Sequence, residues 1–354
     1  MSTAFDRRRI TLADVAQACG VSRATVSLVL RGSPLVHAET RARVEAELKR
    51  QGYVYHRGAA NLRRKVSSGV ALVINDLSNP FFAEFAAGVD EALATAGYVT
   101  LLGSTGESVE RQRAVLASLL EHDPAGIILS PAEGSDGAQL RSLVGPRTPV
   151  LVFNRELQTH TSDTGWDFLA LDNVHGTYLA TGHLIARGHR RIAFFGGHRD
   201  SSSCRQRREG YRAALTEAGI TPEPQWLVEC APTRLEAARQ VGALFVRDPV
   251  PTAAVCYNDA VALGLMAGLA ARGRRAGQDF AVVGFDDIPE AEVSAPPLTT
   301  VAVDPRARGR QAAALILRRL QNPDAKPRHT VATVQLQVRA SSDVQPNADT
   351  GASP

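Results

Sequence analysis

Arg23 carries the most specific chemistry in the N-terminal part of this chain. A guanidinium group can donate two parallel hydrogen bonds to O6 and N7 of a guanine, and such a pair discriminates between bases by roughly 1–3 kcal/mol. Nearby Ala24 and Leu28 can offer only apolar contact, for example to a thymine methyl group. The neighbouring side chains better suited to phosphate oxygens are Thr25, Ser27, Arg31, Thr40 and Arg41. This combination of residue types indicates a surface that reads double-stranded DNA.

Two short helices joined by a tight turn would position these side chains. Thr11 and Asp14 have the spacing of a capping box, which predicts the start of the first helix. Gly20 provides the permissive backbone that ends this helix, and Ser22 can cap the next one. The predicted helices are Leu12 to about Cys19, Arg23 to about Leu30, and about Ala38 to Arg50. This is the pattern of a helix-turn-helix, in which the front of the second helix enters the major groove.

Apolar residues at helical spacing predict a core shared by the three helices. They are Val15, Ala16, Val21, Val26, Val29, Leu30, Val44 and Leu48. A small helical bundle with solvated arginines would give the same local pattern, which leaves that alternative open. The charge distribution favours DNA, because residues 1–65 hold 13 of the 40 Lys and Arg but only 5 of the 36 Asp and Glu. The rest of the chain is mildly acidic, so only the N-terminal segment suits a polyanion.

The composition of the 354-residue chain is that of a soluble protein with more than one domain. Hydrophobic residues make up 44% of it, but no segment approaches the ~20 consecutive apolar residues of a membrane span. The first residues lack the apolar segment of a secretory signal, so we expect a cytoplasmic, nucleoid-associated protein.

The four cysteines form no Cys-x-x-Cys pair, which argues against a zinc site or a disulfide framework. We expect no metal and no resident cofactor.

From Val70 onward, short β-branched runs alternate with helical patterns. One set of runs is VALVI, VTLLG, GIILS and VLVFN, and a second set is IAFFG, AAVCY and AVVGF. Alternating strands and helices predict parallel sheets covered by helices, and two sets of strands predict two lobes.

The run TLADVAQACGVSRATVSLVLRGSPLVHAETRARVEAELKRQGYVYHRGAANLRR resembles, without a gap, the headpiece and hinge of the lactose-repressor (LacI/GalR) family. Later segments such as SNPFFAEFAAGVDEALATAGY, VVGFDD and PLTTVAVD continue the resemblance. It implies an all-α helix-turn-helix headpiece followed by an α/β, two-lobed domain like that of periplasmic binding proteins. It also implies a homodimeric transcriptional repressor on pseudo-palindromic operator DNA. A small-molecule effector, most simply a sugar or a sugar-derived metabolite, would change its hold on that DNA.

The resemblance assigns base reading to Arg23, Ala24 and Leu28, and Leu28 stands where many relatives have a polar or charged residue. The operator sequence therefore cannot be transferred from relatives. His37 stands where a Ser N-cap is common, so the third helix is expected to be capped less well. The predicted DNA-binding surface further includes Thr11, Ser22, Tyr53, Ala59 and Leu62.

Residues 57–64 correspond to the family's hinge, which is too short to form a stable helix alone in water. In the family two such helices pair in the minor groove, and a leucine from each opens the central base step, a role that maps to Leu62. Gly58 replaces a larger residue and should weaken the helix by about 0.5–1 kcal/mol. Without the resemblance, this segment is interpreted as a plain basic linker.

The resemblance places an effector cleft at the carboxyl ends of the strands, in agreement with the general rule for open α/β sheets. Side chains near those ends are Asp76, Phe82, Asn154, Arg155, Asn258 and Asp286. Arg207 matches an arginine that binds ligand hydroxyls or carboxylates in relatives. Structural roles remain open, since Asp259 can cap a helix and Asp286 can tie a loop. An arginine with carboxylates and amides suits a polyhydroxylated or anionic metabolite.

The remaining expectations concern domain limits. The predicted parts are a headpiece at 1–56, a hinge at 57–67, a two-lobed domain at 68–340 with a first lobe at about 68–165 and 296–325 and a second at about 166–295 and 326–340, and a disordered tail at 341–354. The tail is polar and has no heptad pattern, so we expect a dimer and not a tetramer.

His183 and His189 have no carboxylate or Cys at ligand spacing and are interpreted as structural.

An enzyme and a periplasmic sugar receptor are the alternative classes of protein. The sequence has no G-x-S-x-G, H-E-x-x-H, P-loop or G-x-G-x-x-G pattern, which argues against an enzyme. A periplasmic receptor would have a signal peptide and no helix-turn-helix, and this chain has the reverse.

Overall fold

The computed structural model describes residues 10–30, 32–53, 67–158 and 164–344. The chain divides into two compact units between residues 66 and 67. The smaller unit is the helical headpiece and the larger is a two-lobed α/β domain, as the sequence predicted. Within the described ranges, no helix is long and apolar enough to cross a membrane.

The headpiece has three helices within residues 10–30 and 32–53. They are α1 (Leu12–Cys19), α2 (Arg23–Leu30) and α3 (Ala38–Gln51). The predicted capping box is present, because the Thr11 hydroxyl accepts a hydrogen bond from the Asp14 amide and the Asp14 carboxylate accepts one from the Thr11 amide. Gly20 ends α1 with a φ of 63°, and His37 makes no side-chain cap on α3, both as expected. The predicted core forms, with Val15, Ala16, Cys19, Val26, Val29 and Val44 buried.

The body contains twelve strands among its described residues. They are β1 (Gly69–Ile74), β2 (Val99–Ser104), β3 (Gly126–Leu129), β4 (Val150–Phe153), β5 (Asp167–Leu171), β6 (Ile192–Phe195), β7 (Leu227–Val228), β8 (Ala253–Cys256), β9 (Ala281–Asp286), β10 (Thr299–Ala302), β11 (His329–Ala332) and β12 (Gln335–Gln337). The helices between them are α4 (Pro80–Thr95), α5 (Val109–Leu120), α6 (Gly137–Val144), α7 (Asn173–Ala186), α8 (Ser202–Glu217), α9 (Arg234–Gln240), α10 (Gly242–Phe245), α11 (Asp259–Ala270), α12 (Pro289–Val293) and α13 (Pro305–Gln321).

The strands form two six-stranded sheets. The first sheet has the order β11-β5-β4-β3-β1-β2 and is parallel throughout. The second has the order β12-β10-β9-β8-β6-β7, and only the β10–β12 pair is antiparallel. Strands buried on both faces, such as β3 and β8, explain the continuous apolar runs in the sequence.

The predicted lobe limits were wrong at three strands. We assigned β5 and β11 to the second lobe, but they pair with each other in the first sheet. We assigned β10 to the first lobe, but it pairs with β9 in the second sheet. The chain therefore passes between the lobes after β5, after β10 and after β11. Pairing partners far apart in sequence decide the lobe of each strand, and local composition does not reveal them.

The predicted disordered tail was also wrong for residues 341–344. Residues Ala340–Ser342 form a short 3-10 helix, and Ser341 and Ser342 are fully buried. The Ser341 hydroxyl accepts a hydrogen bond from the Thr299 amide and donates one to the Val282 carbonyl. Buried hydrogen bonds thus hold a polar segment whose composition predicted disorder.

His183 and His189 take part in the same attachment. The ring of His183 lies 2.9 Å from the Ser342 hydroxyl, and Nε2 of His189 lies 3.0 Å from the Val344 carbonyl. These contacts agree with the structural interpretation of both histidines. In the part of the chain that the structure describes, no group of His, Cys, Asp and Glu could hold a metal ion.

Candidate DNA-binding surface and ligand cleft

The headpiece presents the front of α2 to solvent. Ser22, Arg23 and Ala24 are exposed, whereas Val26 and Val29 turn into the core. Ser22 caps the helix, because its hydroxyl accepts a hydrogen bond from the Thr25 amide at 3.0 Å. Two of the three residues predicted to read bases, Arg23 and Ala24, therefore lie at the exposed N-terminal end of this helix, and Leu28 lies closer to its C-terminal end.

Some predicted DNA-contacting residues have structural partners in the headpiece. The Arg41 guanidinium donates a 2.5 Å hydrogen bond to the Ser33 carbonyl, so it also holds the loop before α3. Tyr53 is half-buried against the headpiece core, and Thr11 belongs to the capping box. Ser27, Leu28 and Thr40 are half-buried on their helices. Arg31, Ala59 and Leu62 lie outside the described residues.

The two lobes enclose a cleft that brings together all seven residues predicted to bind an effector. The cavity has a volume of about 400 Å³. The first lobe contributes Asp76, Phe82, Asn154 and Arg155, and the second contributes Arg207, Asn258 and Asp286. Each lies at or just beyond the carboxyl end of a strand, except Phe82 on α4 and Arg207 on α8. The strand-end rule therefore accounts for five of these seven residues.

Arg207 is the centre of a buried polar network. Its Nε donates to the Asn173 side-chain oxygen at 2.9 Å, and one terminal nitrogen donates to the Tyr257 carbonyl. The other terminal nitrogen lies 3.7 Å from the Asp286 carboxylate, and the guanidinium carbon lies 3.7 Å above the Phe285 ring. Hydrogen bonds and ring contacts thus fix the guanidinium before any ligand arrives.

The position of α8 allows this arrangement. Gly210 faces α7 so closely that an added Cβ would come within 2.0 Å of the Val174 carbonyl oxygen. Only glycine permits this approach, which brings Arg207, one turn earlier on α8, next to Asn173 at the start of α7.

Asp286 is buried at the end of β9, and its backbone φ of 127° is rare for any residue except glycine. Burial raises the pKa of its carboxyl group well above the ordinary value, although the nearby Arg207 guanidinium opposes this shift. The surrounding fold therefore imposes a position that is costly both for the backbone and for the charge. Such costs are typical of residues kept for binding.

Arg155 is the second buried guanidinium of the cleft. It forms a 2.5 Å ion pair with Glu107, whose carboxylate also accepts a hydrogen bond from the Asn75 side chain. Among the described residues, neither the buried Arg155 Nε nor the buried side-chain oxygen of Asn154 has a hydrogen-bond partner. Unsatisfied buried groups are costly, and a bound hydroxyl group would satisfy both kinds of atom.

Asn258 and Asp259 divide roles that the sequence could not separate. The side-chain oxygen of Asn258 caps α11 by accepting from the Val261 amide at 2.9 Å. Asp259 does not cap this helix; its carboxylate accepts hydrogen bonds from the Thr300 hydroxyl and the Ile288 amide. It thereby joins α11 to β10 and to the loop after β9.

Hydrogen bonds also cross between the lobes beside the cleft. The Glu156 amide donates to the Ser202 hydroxyl at 3.1 Å, and the Gln206 side chain donates to the Glu156 carboxylate at 3.4 Å. Both contacts join the loop after β4 to α8. They connect the helix of Arg207 directly to the opposite lobe.

Several residues of the cleft were not predicted from the sequence. They are Asn79, Phe81, Gly106, Glu107, His198, Ala231, Pro232, Thr233 and Tyr257. Glu107 and Tyr257 could have been found, because Glu107 follows the predicted strand VTLLG and Tyr257 is the last residue of the predicted strand AAVCY. The residues at 231–233 follow β7, which is only two residues long and carried no usable strand signal.

These features define a class of protein in which a helix-turn-helix headpiece is followed by a two-lobed ligand-binding domain. Residues 11–55 match the family model described as bacterial regulatory proteins, lacI family, and residues 181–342 match a periplasmic binding protein-like domain. The chain is 32% identical to the maltose regulon regulatory protein MalI of Escherichia coli strain K12, over 93% of this chain and 98% of that protein. It therefore belongs to the lacI family of bacterial regulatory proteins, and the resemblance in its sequence is confirmed.

Other relatives agree with this assignment. The HTH-type transcriptional repressor PurR of Vibrio atlanticus strain LGP32 is 32% identical over 90% of this chain and 94% of its own length. Among solved structures, the Lac repressor dimer bound to operator and the anti-inducer ONPF is 27% identical, with a TM-score of 0.81 over 94% of this chain and 99% of that chain. A complex of the transcriptional regulator CelR with cellobiose is 31% identical, with a TM-score of 0.71 over 94% of this chain and 100% of that chain.

Proposed function

We propose that this protein is a sequence-specific transcriptional repressor that binds a pseudo-palindromic operator through α2. The observation that carries the proposal is the arrangement of α2, which buries Val26 and Val29 and leaves Arg23 and Ala24 exposed at its N-terminal end. An exposed arginine at that end of a recognition helix is placed to contact a guanine in the major groove. The basic charge of residues 1–65 supports binding to the phosphate backbone.

The effector we propose is a neutral, polyhydroxylated metabolite of sugar type, held in the cleft between the lobes. Arg155 is already neutralised by Glu107, and Arg207 already has Asn173, Tyr257 and Asp286 around it. A ligand with a strong negative charge would have to compete with these partners. Hydroxyl groups, in contrast, can donate to carboxylates and amides and accept from unsatisfied N–H groups. The cellobiose complex of CelR supports this chemistry for a related cleft.

Selection of bound DNA from random duplexes tests the proposal directly. The full-length protein should enrich one pseudo-palindromic sequence, and a sugar from a panel of sugars, sugar acids and phosphates should change the enrichment. Arg23→Ala should relax the preference at one base pair of each half-site. Arg43→Ala removes an exposed arginine from α3, outside the predicted reading surface, and serves as the matched control. If no duplex is preferred at moderate salt with any ligand of the panel, the proposal is wrong.

A homodimer is part of the same proposal, because a pseudo-palindrome requires two headpieces. The edge strand β2 supports it, since Val99 and Leu102 are about half exposed there, with Leu77 exposed nearby in sequence after β1. An exposed apolar edge is suited to contact with a second copy. Sedimentation should give a dimer, whereas a tetramer in the absence of DNA would contradict this expectation.

The proposed function needs no catalysis and no resident cofactor. The relatives reported above are regulators, and the polar groups of the cleft are engaged in fixing one another. We therefore propose that the ligand leaves chemically unchanged, and that the protein acts in the cytoplasm, on the nucleoid. Recovery of unmodified sugar after prolonged incubation with the protein would support this.

A further inference from the structure

Helix α8 carries arginines on more than one face. Arg207 lies in the cleft, whereas Arg205, Arg208 and Arg212 have the i, i+3, i+7 spacing of another face. These three residues and Arg199 line an open groove of about 870 Å³, termed here the α8 groove. The other residues of the α8 groove are Asp200, Glu209, Ala213, Thr216 and Glu217.

The three arginines of this helix face form no direct ion pair with the carboxylates that the structure describes. Across the described residues, no carboxylate lies within 4.0 Å of the guanidinium of Arg205, Arg208 or Arg212. The Arg205 guanidinium donates a hydrogen bond to the backbone carbonyl of Asp200. Arg199, in contrast, is paired with Glu229 at 3.1 Å. Three like charges therefore lie along one helix face without a direct ion pair among the described residues, although Asp200, Glu209 and Glu217 also line the groove.

Arg208 adds an unsatisfied donor to this surface. Its Nε is buried and has no hydrogen-bond partner in the part of the chain that the structure describes, and its guanidinium carbon lies 5.6 Å from the centre of the Phe194 ring. A charged N–H group that has lost water without gaining an acceptor is costly. An anion in the groove would supply that acceptor and reduce the repulsion among the arginines.

We propose that the α8 groove binds a small phosphorylated ligand, at a site separate from the effector cleft. Guanidinium groups form paired, charge-assisted hydrogen bonds with phosphate oxygens. Arg205 and Arg212 are seven residues apart, roughly 10 Å along the helix axis, which suits a compound with two phosphoryl groups. The volume of the groove is that of a small-molecule site.

The acidic residues of the α8 groove favour a small ligand over an acidic protein segment. Asp200 and Glu209 line the groove, and Glu217 is held there by a 2.7 Å hydrogen bond from the Tyr178 hydroxyl. A long acidic peptide would have to pass these carboxylates. A compact phosphate can lie against the arginines alone.

Calorimetric titration of the full-length protein with pyrophosphate at low ionic strength tests this proposal. We expect saturable binding with one site per chain. The double substitution Arg205→Gln with Arg212→Gln should weaken it at least about tenfold, because each charge-assisted pair contributes a large share of the affinity. Both side chains are exposed, so the fold should be retained. Arg208→Lys keeps the charge but loses the paired geometry, and should weaken binding as well.

Two matched controls distinguish the α8 groove from general attraction of anions. Arg113→Gln removes an exposed arginine from α5 and should leave pyrophosphate binding unchanged. Arg23→Gln removes a charge from the headpiece and should also leave it unchanged. The proposal is overturned if pyrophosphate does not bind, if the α8 variants bind it as the wild type does, or if the controls lose binding equally. Binding of an Asp- and Glu-rich peptide in place of pyrophosphate would assign the groove to a protein partner and also overturn it.

Discussion

Replacement of Arg207 by Met should destabilise the body of the protein in a pH-dependent manner. Arg207 and Asp286 are both almost fully buried and lie 3.7 Å apart, so the substitution leaves a buried carboxylate without its cation. Removing one partner of a buried pair costs about 3–5 kcal/mol. The 3.7 Å separation is long for a direct hydrogen bond, which places the expected loss near 3 kcal/mol at pH 8.

The pH dependence follows from the carboxyl group that remains. Burial already raises the pKa of Asp286 in the folded protein, and Arg207 partly opposes this rise. A group with a raised folded pKa binds its proton more tightly in the folded state, so its contribution to stability is present at low pH and is lost as the pH rises through that pKa. Without Arg207 the pKa of Asp286 rises further. The cost of Arg207→Met should therefore be smaller at pH 5 than at pH 8.

Urea unfolding, followed by the fluorescence of Trp166 and Trp226, measures this effect at both pH values. The double variant Arg207→Met with Asp286→Asn removes the carboxylate and should recover part of the lost stability at pH 8. An equal loss at pH 5 and pH 8, together with no recovery in the double variant, would show that Arg207 acts only through packing. The charge argument for the cleft would then be wrong.

Three further expectations concern other parts of the chain. Thr11→Ala should lower the stability of the headpiece by about 1 kcal/mol, because the capping box at α1 is lost; calorimetry of the headpiece transition measures this. Leu62→Gly should weaken operator binding but leave sugar affinity unchanged, and equal operator affinity in a filter-binding assay would remove the predicted hinge role. Burial lowers the pKa of His189, so its contribution to stability is lost as the pH falls below about 6.5; His189→Asn should flatten this part of the pH profile of urea unfolding.

The helix limits of the headpiece could be predicted from the sequence because the signals for them are local. Thr11, Gly20 and Ser22 act within one turn of their own positions, so their residue types are sufficient to predict the helix limits. Five of the seven predicted cleft residues could be located from the sequence for a different reason. In a parallel sheet the carboxyl ends of the strands lie at one edge, and side chains such as Asn154 and Asp286 then converge without any knowledge of the pairing order.

The errors arose where distant contacts decide the structure. Strand β10 contains nothing that distinguishes a partner in the first sheet from one in the second, and its register with β9 fixes the outcome. Ser341 and Ser342 are polar and would be disordered in isolation, but Thr299 and His183 supply their hydrogen bonds. Glu107 has a left-handed backbone conformation with a φ of 63°, and its carboxylate pairs with Arg155. No local sequence pattern predicts that ion pair.

The last strands of the chain, β11 and β12, complete different sheets, and this has a consequence for biosynthesis. The first sheet lacks its β11 edge, and the second lacks β12 and the segment 340–342, until the ribosome has released those residues. Over the residues that the structure describes, the core of the three headpiece helices involves none beyond 53, so these helices can pack while the lobes are still incomplete. A nascent chain that stops before residue 329 would therefore present a formed DNA-reading helix on a body with neither sheet finished, and such a product is a natural substrate for proteolysis.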